Sequence, residues 1–207
     1  MKIIPPVVGV FLLAASLPLL VPAFSGPAWS NEEKVMKLPD PDLSSGRPLM
    51  AVLYDRRSER SFDKTPLSKQ LLAEILWAAV GVNRTDGSNR RTSPTAMNHQ
   101  DVELYALTSE GAFLYDALGR QLIMVAEGDQ TRHLGAPLGL VYVSPPTRWA
   151  GANAAFCAQN VYLYAASEGL NTVVKGTFDA PVLGDLLKLP EGKAVIMVQP
   201  VGPPPSK

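Results

Sequence analysis

Two short segments, well separated along this 207-residue chain, carry most of its chemistry-bearing side chains. The first, Asp55-Arg56-Arg57-Ser58-Glu59-Arg60-Ser61-Phe62, gathers three guanidiniums around a hydroxyl. Arg presents a rigid, permanently charged fork of donors, and phosphate oxygens accept such forks bidentately. Taken alone, an Arg-rich run has a plainer reading as a solvated helix end whose cations face the C-terminal dipole. The second segment, Arg91-Thr92-Ser93-Pro94-Thr95-Ala96-Met97-Asn98, closes on an amide. An amide can donate to and accept from the edge of a flat heterocycle. Its plainer reading is a capping turn that opens a helix or strand. A third segment, from Leu170 to Asp179, contains Lys175 and Gly176, the latter by itself an ordinary turn glycine.

Several elements must position these residues. An apolar stripe at Leu49, Val52 and Leu53 predicts a helix over Pro48 to Asp55 that delivers Arg56 and Arg57 at its C-terminal end. Ser68 is an N-cap candidate for a clearer helix with Leu71, Leu72, Ile75, Leu76 and Ala79 on its apolar side and Gly81 as C-cap. Residues 83–93 read as a loop. Val102 to Thr108 and Ala112 to Tyr115 form a hairpin about Gly111. Leu138 to Ser144 is continuously apolar, as a central strand would be.

Ala150 to Glu168 reads as a long helix rich in small residues, closing at Gly169 and expected to be largely buried in a tight core or a subunit interface. A short strand (Leu170 to Val174), a helix (Pro181 to Leu187) and a last strand (Ala194 to Val198, ending in Pro200) complete the order. The fold class is α+β, with an antiparallel sheet and helices on its faces.

Composition narrows the chemistry. Hydrophobic residues make up 46% and charged residues 18%, which indicates a globular chain. Basic and acidic residues balance at 19 each, so no nucleic-acid footprint is visible. One cysteine, Cys157, and two histidines argue against a disulfide framework and a metal centre, which leaves an organic cofactor. Lys2, the apolar run Ile3 to Phe24 and the small residues around Ala28-Trp29-Ser30 predict a signal peptide over residues 1–30 and export to the periplasm or another extracytoplasmic space. Pro5, Pro6, Pro18 and Pro22 disfavour the alternative, an uncleaved membrane anchor. Residues 31–47 read as a flexible arm, and residues 48–207 as one domain.

Together the segments resemble the flavin-binding segments of the FMN-dependent nitroreductase family, whose hallmarks are R-x-S-x-[RK]-x-F and a later P-[ST]-x-x-N. The resemblance spans about Pro48 to Gly202. The nearer comparison is with smaller members, including the dehydrogenase-like relatives that oxidise azoline rings. It implies a nitroreductase-like dimeric fold with FMN at the subunit interface. Arg56 and Ser58 match positions that hold phosphate and ribityl, and Arg57 matches a third contact. Arg60 matches a basic residue at the pyrimidine edge, where charge favours the anionic reduced flavin. Pro94 and Thr95 would lie against one ring face, with Asn98 on the flavin and ribityl.

Ser167-Glu168-Gly169-Leu170 and Gly176 match the arrangement that offers a backbone N–H to the flavin N5, with Lys175 standing where the family often has an acid. The family's C-terminal Lys-x-Arg pair is missing, and Lys207 alone could replace it. The short stretch between Arg120 and Pro137 implies a reduced helical lid. The implied activity is transfer of a hydride or two electrons through flavin to a small acceptor of nitro or quinone type, from a donor the sequence leaves unspecified. No side-chain nucleophile is needed. The alternative is an exported flavin-binding or carrier protein without nitroreductase turnover.

Overall fold

A computed structural model describes residues 34–84 and 86–206. The predicted signal peptide and Lys207 therefore lie outside the described residues. Among the described residues seven strands form one sheet: β1 (Val35–Lys37), β2 (Glu103–Leu107), β3 (Gly111–Asp116), β4 (Gln121–Glu127), β5 (Leu138–Ser144), β6 (Asn171–Thr172) and β7 (Ala194–Gly202). Their spatial order is β1-β4-β3-β2-β5-β7-β6, and every pairing is antiparallel. Helices α1 (Leu49–Asp55), α2 (Lys69–Val80), α3 (Ala150–Glu168) and α4 (Ala180–Leu186) complete the fold. The core divides between the two faces of the sheet. On one face, α2 and α3 pack Ile75, Leu76, Cys157 and Val161 against Leu104, Phe113, Leu140 and Tyr142. On the other, Leu183 and Leu187 of the α4 region meet Tyr105, Val141 and Val198.

Local chemistry explains the helix ends. Ser68 Oγ accepts the Leu71 N–H at 3.2 Å, satisfying one of the donors orphaned at the start of α2. Gly81 does cap α2, but in extended backbone (φ −63°, ψ 151°) rather than the left-handed form usual for a glycine cap. Glycine is required there for space, because a Cβ would fall 2.3 Å from the Trp77 ring and 2.6 Å from its carbonyl oxygen. Gly169 closes α3 in the left-handed region at φ 71°.

β5 is buried along its whole length, as its apolar run predicts. Three segments differ from expectation. Val35–Lys37, inside the predicted arm, adds an edge strand by pairing with β4. Gln121–Glu127, expected only as part of a shortened lid region, is a strand. β7 continues through Pro200 to Gly202. The Pro200 carbonyl accepts from Thr172 Oγ1 at 2.8 Å, so its missing N–H faces the two-residue edge strand β6 and costs no bond to β5.

The prediction that α3 is largely buried holds for one face within a single chain. Asn153, Ala154, Cys157, Ala158 and Val161 are buried, whereas Ala152, Ala155, Phe156 and Gln159 are exposed.

Candidate functional site

α1 ends at Asp55, and Arg56 caps it by donating its backbone N–H to Val52 O at 2.9 Å. From there the chain runs extended, held by backbone bonds and not by its charged side chains. Glu59 N–H donates to Thr172 O at 3.0 Å, and Asn171 Nδ2 donates to Ser61 O at 2.9 Å. Asp55 is occupied by Arg47 at 2.5 Å. Among the described residues Arg56, Arg57 and Arg60 form no ion pair. Three guanidiniums thus flank Ser58 without an ion-pair partner, Arg57 and Arg60 exposed and Arg56 half-buried. Arg60 reaches back only to the Ser58 carbonyl, at 3.4 Å. A cavity of about 230 Å³ opens beside this loop, lined by Asp55, Arg57, Glu59, Tyr162, Asn171 and Thr172.

Tyr162 of α3 is the residue that sequence reasoning missed. Its ring lies under the Arg56 guanidinium, 5.3 Å from centroid to charge. Its Oη accepts the Val174 N–H at 2.8 Å and lies 3.0 Å from Ser58 Oγ. The only available signal was the tyrosine itself, in a helix otherwise dominated by small side chains. The Val174–Lys175–Gly176 strip lies next to this contact. Lys175 pairs through its backbone with Val198 (N–H to O, 2.8 Å), and its Nζ reaches toward Leu134 O at 3.5 Å. Gly176 is exposed, with nothing within 4 Å of where a Cβ would stand. Its backbone is open to a ligand.

The second segment is built differently. Thr95 Oγ1 accepts the Gln100 N–H at 2.9 Å and closes a turn. Met97, Asn98 and Gln100 adopt positive φ (53°, 58° and 51°), and Met97 and Asn98 are exposed. The buried Asn153 side chain accepts the Ala96 N–H at 2.9 Å and donates to Asp101 Oδ1 at 3.0 Å. Ser93 Oγ lies 3.2 Å from the Cys157 thiol, whose pKa burial pushes up to about 11. Pro94 is exposed and Thr95 half-buried.

Both segments therefore dock on α3, but at different places. Asn153 and Tyr162 are nine residues apart, two and a half turns, which separates them by about 13–14 Å along the axis and turns them to opposite sides. Arg56, Arg57, Ser58, Arg60 and the Val174–Gly176 strip gather near Tyr162, and Pro94, Thr95 and Asn98 gather near Asn153. Within one chain the two groups share no hydrogen bond. No intrachain hydrogen bond ties Asn98 to Arg56 among the described residues.

The family model described as Nitroreductase family matches residues 53–203, which include every residue of both groups. The chain belongs to the nitroreductase family. It is 29% identical over 195 residues to a protein of Methanocaldococcus jannaschii named a nitroreductase, covering 81% of this chain and 96% of that one. A Ralstonia eutropha structure titled as a nitroreductase superposes with a TM-score of 0.79 at 35% identity, covering 84% of this chain and 91% of that one. A chain of the E. coli microcin synthetase complex shares the fold, with a TM-score of 0.62 at 20% identity over 95% of this chain and 85% of that one. Membership of the nitroreductase family supports an oxidoreductase on a flavin-dependent fold, with an α+β architecture and a mostly antiparallel sheet. Among the described residues no cluster of His, Cys, Asp and Glu could hold a metal ion, and no helix is long and apolar enough to cross a membrane.

Proposed function

We propose that this chain is an FMN-dependent oxidoreductase that works as a homodimer on a small acceptor of nitro or quinone type. The observation that carries the reading is the set of three unpaired guanidiniums around Ser58, beside the open backbone of Gly176. That donor set fits FMN, whose phosphate needs charged donors, whose ribityl chain needs hydroxyl partners and whose ring edge needs backbone amides. Arg56, Arg57 and Ser58 would hold the phosphate end, Arg60 would set positive potential at the ring edge, and Gly176 would offer its N–H. When bound, FMN supplies two-electron chemistry, taking a hydride from a donor and delivering two electrons with a proton to the acceptor. The residues of this chain bind, orient and set charge, and none acts as a nucleophile.

Two exposed apolar surfaces support a second copy as the missing partner. α1 leaves Leu49, Met50, Leu53 and Tyr54 exposed, and α3 leaves Phe156 exposed beside Ala152 and Ala155. A second copy would also supply Pro94, Thr95 and Asn98 to a flavin held by Arg56 and Ser58. Kinship with the azoline-oxidising branch and export after Ser30 belong to the same reading, the latter tested by N-terminal sequencing of the secreted protein.

Three measurements on the purified protein decide the main point. Purified protein should carry flavin absorbance, sediment as a dimer, and bleach and recolour as a hydride donor and then a nitroaromatic or quinone are added. A flavin that binds but does not turn over would favour the carrier reading. A colourless protein that cannot be loaded with FMN would overturn both.

A further inference from the structure

We propose that Tyr162 is a positioning residue that sets the direction of the Ser58 hydroxyl, and so makes Ser58 a donor toward the phosphate; this rests on the FMN reading above. The inference follows from hydrogen-bond polarity. A backbone N–H can only donate, so the 2.8 Å contact fixes the Tyr162 oxygen as the acceptor of Val174 N–H. The phenolic proton must then point elsewhere, and Ser58 Oγ, at 3.0 Å, is the polar atom within reach. Once Ser58 accepts that proton, its own hydrogen turns away from Tyr162 toward the exposed side of the loop. Ser58 is exposed, and Arg56, Arg57 and Arg60 of the same run form no ion pair among the described residues, so an anion drawn to these cations is the acceptor left for that hydrogen.

The result is one directed chain of donors, from Val174 N–H through Tyr162 O–H to Ser58 O–H and on to an anion. Each bond polarises the next, so the terminal hydroxyl is a better donor than an isolated serine. The tyrosine ring takes part as well. Arg56 lies over its face at 5.3 Å, an arrangement that orders the guanidinium without using up its N–H groups. Tyr162 touches neither reacting atoms nor ligand in this account. It acts through Ser58, Arg56 and Val174, and it ties the phosphate loop to the strip that carries Gly176.

The test compares FMN with riboflavin, which lacks the phosphate. Dissociation constants for both are measured by flavin fluorescence in wild type, Tyr162→Phe, Ser58→Ala and the double variant, with thermal melts to verify folding. Tyr162→Phe keeps the ring under Arg56 and removes only the hydroxyl. It is expected to weaken FMN by about tenfold, the size of one charge-assisted hydrogen bond, and riboflavin by no more than about threefold. Ser58→Ala, at an exposed position, should reproduce the FMN-specific loss. In the Ser58→Ala background, Tyr162→Phe should leave the FMN-to-riboflavin ratio unchanged.

Equal losses for the two flavins would overturn the proposal, since Tyr162 would then merely pin the Val174 strip. A Tyr162→Phe protein that binds FMN like wild type would overturn it too. If Tyr162→Phe misfolds, Ser58→Ala with an unchanged FMN-to-riboflavin ratio still sinks it. Wild type that binds neither flavin would remove the FMN reading itself and the proposal with it.

Discussion

The two candidate segments solve opposite problems. The Arg56–Phe62 run is tied down by its backbone and by neighbours, Glu59 to Thr172 and Asn171 to Ser61, so its guanidiniums form no ion pair, Arg57 and Arg60 exposed and Arg56 half-buried over Tyr162. The Ser93–Asp101 turn is tied down from beneath by buried side chains, Asn153 and Cys157, so its crest carries Met97 and Asn98 outward on left-handed backbone. A segment that must present several cations cannot also spend them on its own fold. One that must present a single amide can rest on a buried scaffold.

Stability effects should separate the two most sharply. Asn153→Ala leaves the Ala96 N–H and the Asp101 carboxylate without their partner, and should cost about 2–3 kcal/mol. Urea unfolding with an unchanged slope would report it. Asn171→Ala, which removes an exposed bond in the first segment, should cost about 1 kcal/mol or less. Equal costs would break the comparison.

Ligand effects should run the other way. Arg56→Ala should weaken FMN binding by about 1.5–3 kcal/mol, ten- to a hundredfold, while the unfolding midpoint barely moves. Equilibrium dialysis alongside a melt would check both halves of the statement.

Titration should distinguish the supports as well. The arm leading into α1 is held by Glu74, which accepts from Asp42 N–H at 3.1 Å, from Gln70 Nε2 at 2.5 Å and from Tyr164 Oη. Burial alone would raise its pKa, but the bonds from Tyr164, Gln70 and Asp42 outweigh burial and hold it below the usual value. A carboxyl depressed on folding stabilises above its unfolded pKa and loses that contribution as pH falls, here below about pH 4.3.

Cys157, under the other segment, has the opposite sign. Its pKa of about 11 lies above the unfolded thiol, so its contribution is full below about pH 8.5 and is lost as pH climbs toward 11. Stability measured against pH should show an acid limb flattened by Glu74→Gln and an alkaline limb flattened by Cys157→Ala. A swap of the two assignments would refute this reading.

The smallest effect is expected at the ring edge. Arg60→Gln should make bound flavin harder to reduce, by about 20 mV for a solvent-screened charge worth about 1 kcal/mol, with little loss of bound FMN. Spectroelectrochemical titration would show it. A collapse of binding at constant potential would move Arg60 to the phosphate.

Much of this arrangement was legible along the chain. The Ser68 cap, the Gly169 closure of α3, the β2–β3 hairpin and the apolar β5 all announce themselves through local chemistry. The Arg56–Phe62 and Pro94–Asn98 motifs carry their meaning in residue types at fixed spacing. The two strands at the β1 end of the sheet, β1 and β4, were not legible. Val35–Lys37 is too short to show alternation, and Gln121–Glu127 is mostly half-buried and shows no clean alternation, so pairing with distant partners made both into strands. Pro200 likewise looked like an end because a missing N–H costs something only on a bonded side, and which side it faces depends on the neighbouring strand.

By itself, then, the sequence determined which side chains could meet an anion and a flat ring, and which stretches would be helix or central strand. Those properties follow from side-chain chemistry and from periodicities of a few residues. Only the tertiary structure decided that one segment rests on Asn153 and that the other rests on Tyr162, beneath Ser58 and Arg56. Both contacts depend on how α3 is rotated against the sheet. Packing across the whole domain sets that rotation, and no local run of residues encodes it.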